Sequence, residues 1–397
     1  MIYLDHAATT PVAREVADTM YDVLLNGSGN PSSQYPYGAA AKKRLEADRA
    51  VIAAALGCKP DELYFTSCGT ESDNWAIRLA AHQNRRVGKH IITTAVEHSA
   101  VLEPCKQLEQ EGYTVTYLAP DRQGNITAQQ VADALREDTA LVSVMLVNNE
   151  TGCVFPVGEI ARLLRERGSR ALLHTDAVQA FLKLPFRADT LGADLISVSG
   201  HKLNAPKGVG ALYIRSGVKT GKILTGGHQE RGMRGGTTNV PGIVGMAEAL
   251  RLAVAKLDEN AAYISSLRDR FIARVQKEIP FVKLNGHPKN RLPSNANFSF
   301  RYVEGESLLF SLDLAGIAVS SGSACSSGSL EPSHVLLATG MSEGLAHGSL
   351  RFSFGRENTA EDVDYTVDKL KEIVVKLRNL SPLFPKDMKN EVFEKGE

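Results

Sequence analysis

The chain has 397 residues, 43% of them hydrophobic, and its 45 basic residues are balanced by 45 acidic ones. This length predicts more than one packed core, or one large domain with a smaller companion. The balanced charge argues against nucleic acid or a membrane surface as a partner, no apolar run is long enough to span a bilayer, and the N-terminus lacks a signal-peptide pattern, so we expect a cytoplasmic protein.

Short runs typical of buried strands alternate with helical patterns between about residues 60 and 215. This alternation predicts an α/β fold with a mostly parallel, seven-stranded sheet covered by helices on both faces. Binding sites in such sheets form beyond the carboxyl ends of the strands. The predicted strands are Glu62–Ser67, His90–Thr94, Thr114–Leu118, Ala140–Val147, Ala171–Thr175, Ala193–Val198 and Val209–Ile214.

The pattern changes after about residue 255. We predict a large domain over residues 15–255, with residues 1–14 and 256–397 forming a smaller α+β domain. Its last helix is expected to begin at Thr359, with Asp362 as capping-box partner. One helical face and two strand-like runs precede this helix: Ile264, Leu267, Phe271 and Val275; Asn297–Phe300; and Leu350–Ser353.

Small or polar residues follow several of the predicted strands. Gly69 and Thr70 open a helix after the first strand, where backbone N–H groups can bind a phosphate. His98 follows the second strand and could stack on an aromatic cofactor or transfer protons near neutral pH. Asn149 follows the strand that ends at Val147 and could hydrogen-bond a phenolic oxygen. Taken singly, each motif also fits an ordinary cap, turn or structural histidine.

Two further strand ends carry ionisable residues. A carboxylate at Asp176 can pair with a heterocyclic nitrogen and keep it protonated, which strengthens the ring as an electron sink. Lys202 follows a buried strand, where burial lowers the pKa of an amine and makes it the nucleophile that a Schiff base with an aldehyde cofactor needs. Phosphate turn, acid and lysine together are the three features required for binding pyridoxal phosphate (PLP).

The cysteines cannot all pair and show no Cys-x-x-Cys spacing, which argues against a disulfide framework or a structural zinc site. Cys325 lies in a run of small polar residues, within a loop of about 320–332 that is expected to be exposed and mobile. An exposed thiol can ionise to the nucleophilic thiolate, although an inert cysteine in a turn is the alternative. The remaining cysteines are interpreted as packing residues: Cys58, Cys68, Cys105 and Cys153.

Longer motifs extend over nearly the whole chain: Tyr3–Thr10, Asn30–Ser33, Phe65–Ser72, Ser199–Lys202, Gly226–Arg231, Arg291–Pro293, Ser320–Cys325, Arg351–Ser353 and Ser381–Leu383. With these motifs the chain resembles the NifS-type cysteine desulfurases, which are fold-type-I PLP enzymes of the class-V aminotransferase group. Two positions depart from the common pattern of that family. Tyr35 stands where histidine is frequent, and Gly235 stands where serine is frequent.

The resemblance implies a role for each matching residue. Lys202 forms the Schiff base with PLP, Asp176 pairs with the ring nitrogen and His98 stacks on the ring. The other implied contacts are Gln179 and Asn149 at the ring oxygen; Gly69, Thr70, Ser199 and His201 at the phosphate; Thr237 at the phosphate of the other subunit of a homodimer; and Arg351, with Asn149, at the substrate.

The implied reaction converts L-cysteine to L-alanine. Lys202 and His98 transfer protons, and Cys325 takes the sulfur as a persulfide for an iron–sulfur scaffold or another acceptor protein. Cys325 is also a candidate transient ligand of an iron–sulfur cluster. The alternatives are a selenocysteine lyase or aminotransferase of the same fold, and a sulfur-relay protein without catalysis.

Overall fold

The structure is a computed structural model that describes residues 1–27, 29–321 and 331–385. The strands are β1 Ile2–Tyr3, β2 Leu63–Thr66, β3 His90–Thr94, β4 Thr114–Leu118, β5 Thr139–Ser143, β6 Leu172–Asp176, β7 Leu195–Ser199, β8 Gly210–Ile214, β9 Val282–Asn285, β10 Asn295–Phe300, β11 Ile317–Ala318, β12 Ser320–Ser321 and β13 Ser349–Ser353. The α-helices are α1 Arg14–Asn26, α2 Pro36–Leu56, α3 Gly69–Asn74, α4 Ala80–Gln83, α5 Ser99–Gln110, α6 Ala128–Ala134, α7 Val157–Glu166, α8 Ala188–Leu191, α9 Val240–Val254, α10 Leu257–Glu278, α11 Gly305–Leu314, α12 His334–Ala338, α13 Glu343–His347 and α14 Ala360–Leu380.

The main sheet has seven strands in the order β2-β8-β7-β6-β5-β3-β4. Strands β3 to β7 pair in parallel, and β8 alone runs antiparallel to its neighbours. Strand β8 reverses because residues 200–209, a 3-10 turn and a loop rather than a helical crossover, connect it to β7. The predicted α/β fold with a mostly parallel seven-stranded sheet is therefore confirmed.

Helices cover both faces of this sheet because successive side chains of a strand point to opposite sides. Ile92 and Val142 belong to a core that includes residues of α2, α7 and α9. Their neighbours Ile91 and Leu141 belong to a separate core with residues of α5. Strands buried on both faces are continuous apolar runs, which is the pattern on which the sequence prediction relied.

One strand prediction was too long. The predicted strand Ala140–Val147 ends in the structure at Ser143. Residues 144–147 still run beside β6, with backbone N–H groups of Val144 and Leu146 donating to carbonyls of that strand or its end at 3.1 and 2.9 Å. All four are buried, so their apolar character reflects burial rather than membership of a regular strand.

A second, antiparallel sheet has the order β12-β13-β10-β9. Its core is aromatic: the ring of Phe271 on α10 lies 4.6 Å from that of Phe352 and 5.5 Å from that of Phe354. The predicted capping box of Thr359 and Asp362 is present at the start of α14. Strands β9 and β12 were not predicted from the sequence.

The N-terminal segment connects the two cores. Strand β1 pairs in parallel with β11, and Leu4 is buried in the core of the second sheet. Ala13 and Val16 are buried in the core of the main sheet. The domain boundaries near residues 14 and 255 stay a prediction, and we propose them as the limits of the two units. In the described ranges, no helix is long and apolar enough to cross a bilayer.

A buried ion pair joins α2 to the edge of the main sheet. Arg49 donates to both carboxylate oxygens of Glu230, at 2.9 and 2.7 Å, and each side chain is only 4% exposed. Arg49 also donates to the carbonyl of Leu63, and Glu230 accepts from the N–H of Phe65 at 2.9 Å. This pair anchors the segment around Glu230 that leads to Thr237.

Replacing one partner of this pair is predicted to destabilise the protein strongly. Glu230→Leu leaves the buried Arg49 guanidinium with only the half-exposed carboxylate of Glu46 as counter-charge, which costs about 3 kcal/mol or more. The double variant Arg49→Met/Glu230→Leu removes both charges and should recover part of that loss. The midpoint of urea unfolding measures both effects, and a single variant as stable as the wild type contradicts this account.

Candidate active site

A cavity of ≈ 310 Å³ lies beyond the carboxyl ends of β5, β6 and β7. It brings together the site residues predicted from the sequence, apart from Thr237 and Cys325. Those that line it are Gly69, Thr70, His98, Asn149, Asp176, Gln179, Ser199, His201, Lys202 and Arg351. Residues as far apart in the chain as Gly69 and Lys202 meet here because parallel strands end at one edge of the sheet, and Arg351 is added from the second sheet.

Lys202 ends a short 3-10 turn that directly follows β7. Its amine donates hydrogen bonds to the carbonyl oxygens of Ala7 and Ala8, at 2.7 and 2.5 Å. These acceptors come from the N-terminal segment that also pairs with the second sheet. Sequence reasoning missed them as partners, because a backbone carbonyl leaves no signal in the identity of its residue.

Asp176 is the last residue of β6 and is buried below the cavity. Burial and, to a lesser extent, the nearby charge of Asp73 raise the pKa of Asp176 to about 7. The N–H of Val178, at 2.8 Å from Oδ1, and the charges of His98 and Lys202 oppose this rise. A cation placed against Asp176 would stabilise its charged form. The contribution of Asp73, one turn beyond Gly69, was not predicted.

The turn at Gly69 begins α3, and the helical stretch continues through a π-helical segment into α4. A Cβ atom at Gly69 would lie 2.8 Å from a methyl group of Val178, so the site needs glycine here. The Ser199 hydroxyl is buried and has no hydrogen-bond partner among the described residues. Burial and the charge of Lys202 lower the pKa of His201 to about 4, so its ring is neutral at pH 7.

His98 precedes α5 and caps it. Its Nδ1 accepts the backbone N–H of Ala100 at 3.1 Å, which assigns the proton of the neutral ring to Nε2. Nε2 is thus the ring nitrogen that can exchange a proton with a bound molecule. Because His98 caps α5 through Nδ1 and can exchange a proton through Nε2, it can serve as a structural histidine and as a functional one.

Two side-chain amides face the cavity. Asn149 Oδ1 is buried without a hydrogen-bond partner in the described part of the chain. Gln179 donates from Nε2 to the Ala7 carbonyl at 2.9 Å. The same carbonyl accepts from Lys202, so the N-terminal segment fixes the orientation of both side chains.

Arg351 lies on β13 of the second sheet, and its side chain is 3% exposed. It donates to the carboxylate of Asp5 at 2.9 Å and to the backbone carbonyl of Asn149 at 3.0 Å. Its Nε has no partner within the described ranges. The guanidinium therefore binds the Asp5 carboxylate at the cavity wall, and its Nε–H can donate a further hydrogen bond.

Cys325 lies outside the described residues, but both flanks of its segment are described. Ser320 on β12 pairs with Arg351 on β13. On the other flank, Ser333 donates to the buried carboxylate of Glu150, the residue after Asn149. The two described flanks of the segment that contains Cys325 therefore lie beside Arg351 and Glu150.

Thr237 does not line the cavity of its own chain and is exposed. Three residues earlier, Arg234 donates to Glu71 from Nε at 2.9 Å, and Glu71 accepts from the N–H of Ser67. The segment with Thr237 is therefore tied to the turn that contains Gly69.

The other cysteines differ in their surroundings. Burial raises the pKa of the Cys58 and Cys105 thiols to about 12, so their thiolates are scarce at neutral pH. Cys153 is buried and accepts from the N–H of His287 at 3.2 Å. Cys68 lines the cavity just before α3.

The two departures from the family pattern lie away from the cavity lining. Tyr35 is 57% exposed immediately before α2. Gly235 is buried against Gly226, and an added Cβ would lie 3.0 Å from the Gly226 Cα. This close approach of two backbone segments explains glycine at position 235.

Comparison with known proteins identifies the family. Residues 2–366 match the family described as aminotransferase class-V. The chain belongs to this family. A cysteine desulfurase IscS from Methanosarcina thermophila is 50% identical, over 97% of this chain and 95% of that protein.

Solved structures agree with this assignment to the class-V aminotransferases. A NifS-like protein superimposes with a TM-score of 0.88 at 38% identity, over 94% of this chain and 99% of that one. A structure described as SspA in complex with cysteine gives a TM-score of 0.79 at 34% identity, over 90% of this chain and 100% of the other. The predicted resemblance to NifS-type cysteine desulfurases and the fold-type-I architecture are confirmed.

The pKa of Asp176 predicts a pH-dependent effect of Asp176→Asn on the full-length protein stripped of small-molecule ligands. Because the folded protein holds the Asp176 proton up to about pH 7 while the unfolded chain releases it near pH 4, this group costs stability as pH rises between those values, by up to about 1.4 kcal/mol per pH unit. Asp176→Asn does not lose stability in this way, because an asparagine side chain does not ionise.

The stability of Asp176→Asn relative to wild type should therefore increase from pH 5 to pH 7. Thermal unfolding at both pH values measures it. A difference between the two proteins that does not change with pH would show that Asp176 titrates normally.

Proposed function

We propose that this protein is a PLP-dependent cysteine desulfurase, which converts L-cysteine to L-alanine and passes the sulfur to Cys325. The observation that carries the proposal is the single cavity in which a lysine, a buried carboxyl, a glycine turn and a buried arginine meet. The 50% identity to a cysteine desulfurase over nearly the full chain supports the same reaction.

The residues of the cavity fit PLP. Among the described residues, Ser199 and Asn149 offer buried polar atoms without partners, and Gly69 lines the cavity without a side chain. We propose that Gly69, Thr70, Ser199 and neutral His201 bind the phosphate. Asn149 and Gln179 bind the ring oxygen, Asp176 pairs with the ring nitrogen, His98 stacks on the ring and Lys202 binds the aldehyde carbon. When bound, PLP supplies an electron sink for the electron pair left after removal of the substrate Cα proton.

Arg351 binds the substrate carboxylate, with Asn149 beside it. The contact with Asp5 supports this assignment, because it shows that the Arg351 guanidinium can bind a carboxylate at this position. Arginine binding orients the Cα–H bond toward the Lys202 amine, which takes the proton. His98 exchanges a proton with the substrate through Nε2.

Cys325 then acts as the nucleophile. Its thiolate attacks the substrate sulfur, so a sulfur–sulfur bond forms while the bond between sulfur and Cβ breaks. The electron pair of the broken bond stays with the carbon skeleton, which takes up protons and leaves as L-alanine. The persulfide on Cys325 is passed to an acceptor protein, for which we propose an iron–sulfur assembly scaffold. A transient role of Cys325 as a cluster ligand is part of the same proposal.

A homodimer is part of this proposal. Thr237 is exposed on its own chain, which suits a role at the phosphate of a second copy. Large exposed apolar side chains on and near α1, among them Tyr21, Leu24 and Tyr37, support a subunit interface on that side.

The rival functions differ in what they require. An aminotransferase needs no loop thiol, and a selenocysteine lyase would release alanine faster from selenocysteine than from cysteine. A sulfur-relay protein without catalysis would lack the yellow colour of bound PLP and would be unchanged by borohydride. Measuring alanine from both amino acids separates these activities.

The proposal predicts that Cys325→Ala keeps the yellow cofactor but releases alanine and sulfide from cysteine about 100-fold or more slowly, because the sulfur has no acceptor. Alanine release and visible absorbance measure the two properties. Cys58→Ser is the matched control, since that thiol is partly buried, protonated at neutral pH and outside the cavity lining, and it should keep full activity. Sulfide release by Cys325→Ala at the wild-type rate would overturn the mechanism.

A further inference from the structure

Lys183 is a second lysine beside the active site, and the mechanism above does not use it. It shares with Lys202 a small cavity of ≈ 90 Å³ behind the site. The backbone is strained just before it, since Leu182 has a φ of +52°, a conformation that leucine rarely adopts. This strained backbone conformation directs Lys183 toward the cavity rather than into solvent.

A chain of hydrogen bonds connects the two amines. Lys183 donates to Gln179 Oε1 at 3.5 Å, and Gln179 Nε2 donates to the Ala7 carbonyl at 2.9 Å. The same carbonyl accepts from Lys202 at 2.7 Å. Lys183 thereby fixes which end of the Gln179 amide faces Ala7, and the position of Ala7 fixes the Lys202 amine.

The described residues around the shared cavity do not supply negative charge to balance two ammonium groups. None of the described residues that line the shared cavity is acidic. Burial, followed by the charges of Lys202 and Arg351, lowers the pKa of Lys183 to about 7. The influence is mutual, because two amines that repel each other's charge hold fewer protons than two isolated ones. The ionisable and charged groups that face this pair are His6, Asp176, His201, Arg351, Arg356 and, through His6, Glu357.

We propose that Lys183 is a positioning residue that, by its charge and through Gln179, keeps the Lys202 amine unprotonated near neutral pH. Lys202 must be unprotonated to bind an aldehyde carbon or to take a substrate proton. A neighbouring ammonium is an established way to favour the neutral form of a reactive lysine. This inference rests on the proposed function for its purpose, but the state of the Lys202 amine can be measured without turnover.

The test is competitive acetylation of the full-length protein freed of PLP, with the labelling of Lys202 followed by mass spectrometry across pH. In Lys183→Met the midpoint of Lys202 reactivity should rise by about one pH unit, equal to about tenfold less reactive amine at pH 7. Lys183→Arg carries a permanent positive charge and should leave the midpoint at or below the wild-type value. Lys106→Met, on the exposed face of α5, is the matched control and should also leave it unchanged.

Lys183→Gln keeps a hydrogen-bond donor for Gln179 but removes the charge. It replaces Lys183→Met in the same measurement if the methionine variant does not fold. Its midpoint should also rise. In the PLP-bound protein, the pH titration of the visible absorbance should shift in the same direction for both uncharged variants. A wild-type midpoint in both variants would overturn the proposal for Lys183, while alanine release by the wild-type enzyme tests the desulfurase function separately.

Discussion

The hydrogen bonds from the Lys202 amine to the carbonyls of Ala7 and Ala8 are the contacts on which the rest of the site depends. Lys202 leaves the main sheet at the end of β7, whereas the N-terminal segment is held by the second sheet through Leu4, whose carbonyl accepts from the N–H of Ser353 on β13 at 2.7 Å. The N–H of Ala7 also donates to the Ser353 hydroxyl at 2.8 Å. The amine is thus positioned by both cores at once, and Arg351 and Asp5 bring the second sheet to the opposite wall of the cavity.

Asp176 and the chain neighbours of His98 and Asn149, Glu97 and Glu150, carry buried carboxyl groups, and burial raises the pKa of each toward neutrality. The pKa of Asp176 is raised to about 7, that of Glu150 to about 7 and that of Glu97 to about 8. Asp176 has cations nearby and faces the cavity, so a bound cation can stabilise its charge. Glu97 and Glu150 instead anchor the backbone: Glu97 accepts from the N–H of Met145, and Glu150 accepts from Ser333. The site therefore combines one carboxyl suited to a ligand with two that hold its frame.

Much of the fold and the site could be predicted from the sequence, because both depend on strand ends. The apolar runs around Ile91 and Val142 predict a doubly covered sheet, and residues after such strands meet at one edge, as Asp176 and Lys202 do. The contacts of Ala7 and Ala8 could not be predicted, since they are made by backbone oxygens. Lys183 was missed for another reason. A lysine in a turn is normally solvated, and Lys183 is enclosed only because residues far along the chain, on α9, on α10 and after β13, pack around it. Residues 144–147 were assigned to a strand because burial and strand pairing give the same apolar pattern.

The central claim is that the amine of Lys202 and the thiol of Cys325 act on one substrate molecule in one cavity. Mass spectrometry of the Cys325 peptide after incubation with L-cysteine carrying heavy sulfur tests it most directly. We predict that this peptide gains one heavy sulfur atom in the wild type and gains none in Lys202→Ala. A wild-type Cys325 peptide that stays unmodified while alanine accumulates, or equal labelling in Lys202→Ala, would contradict it.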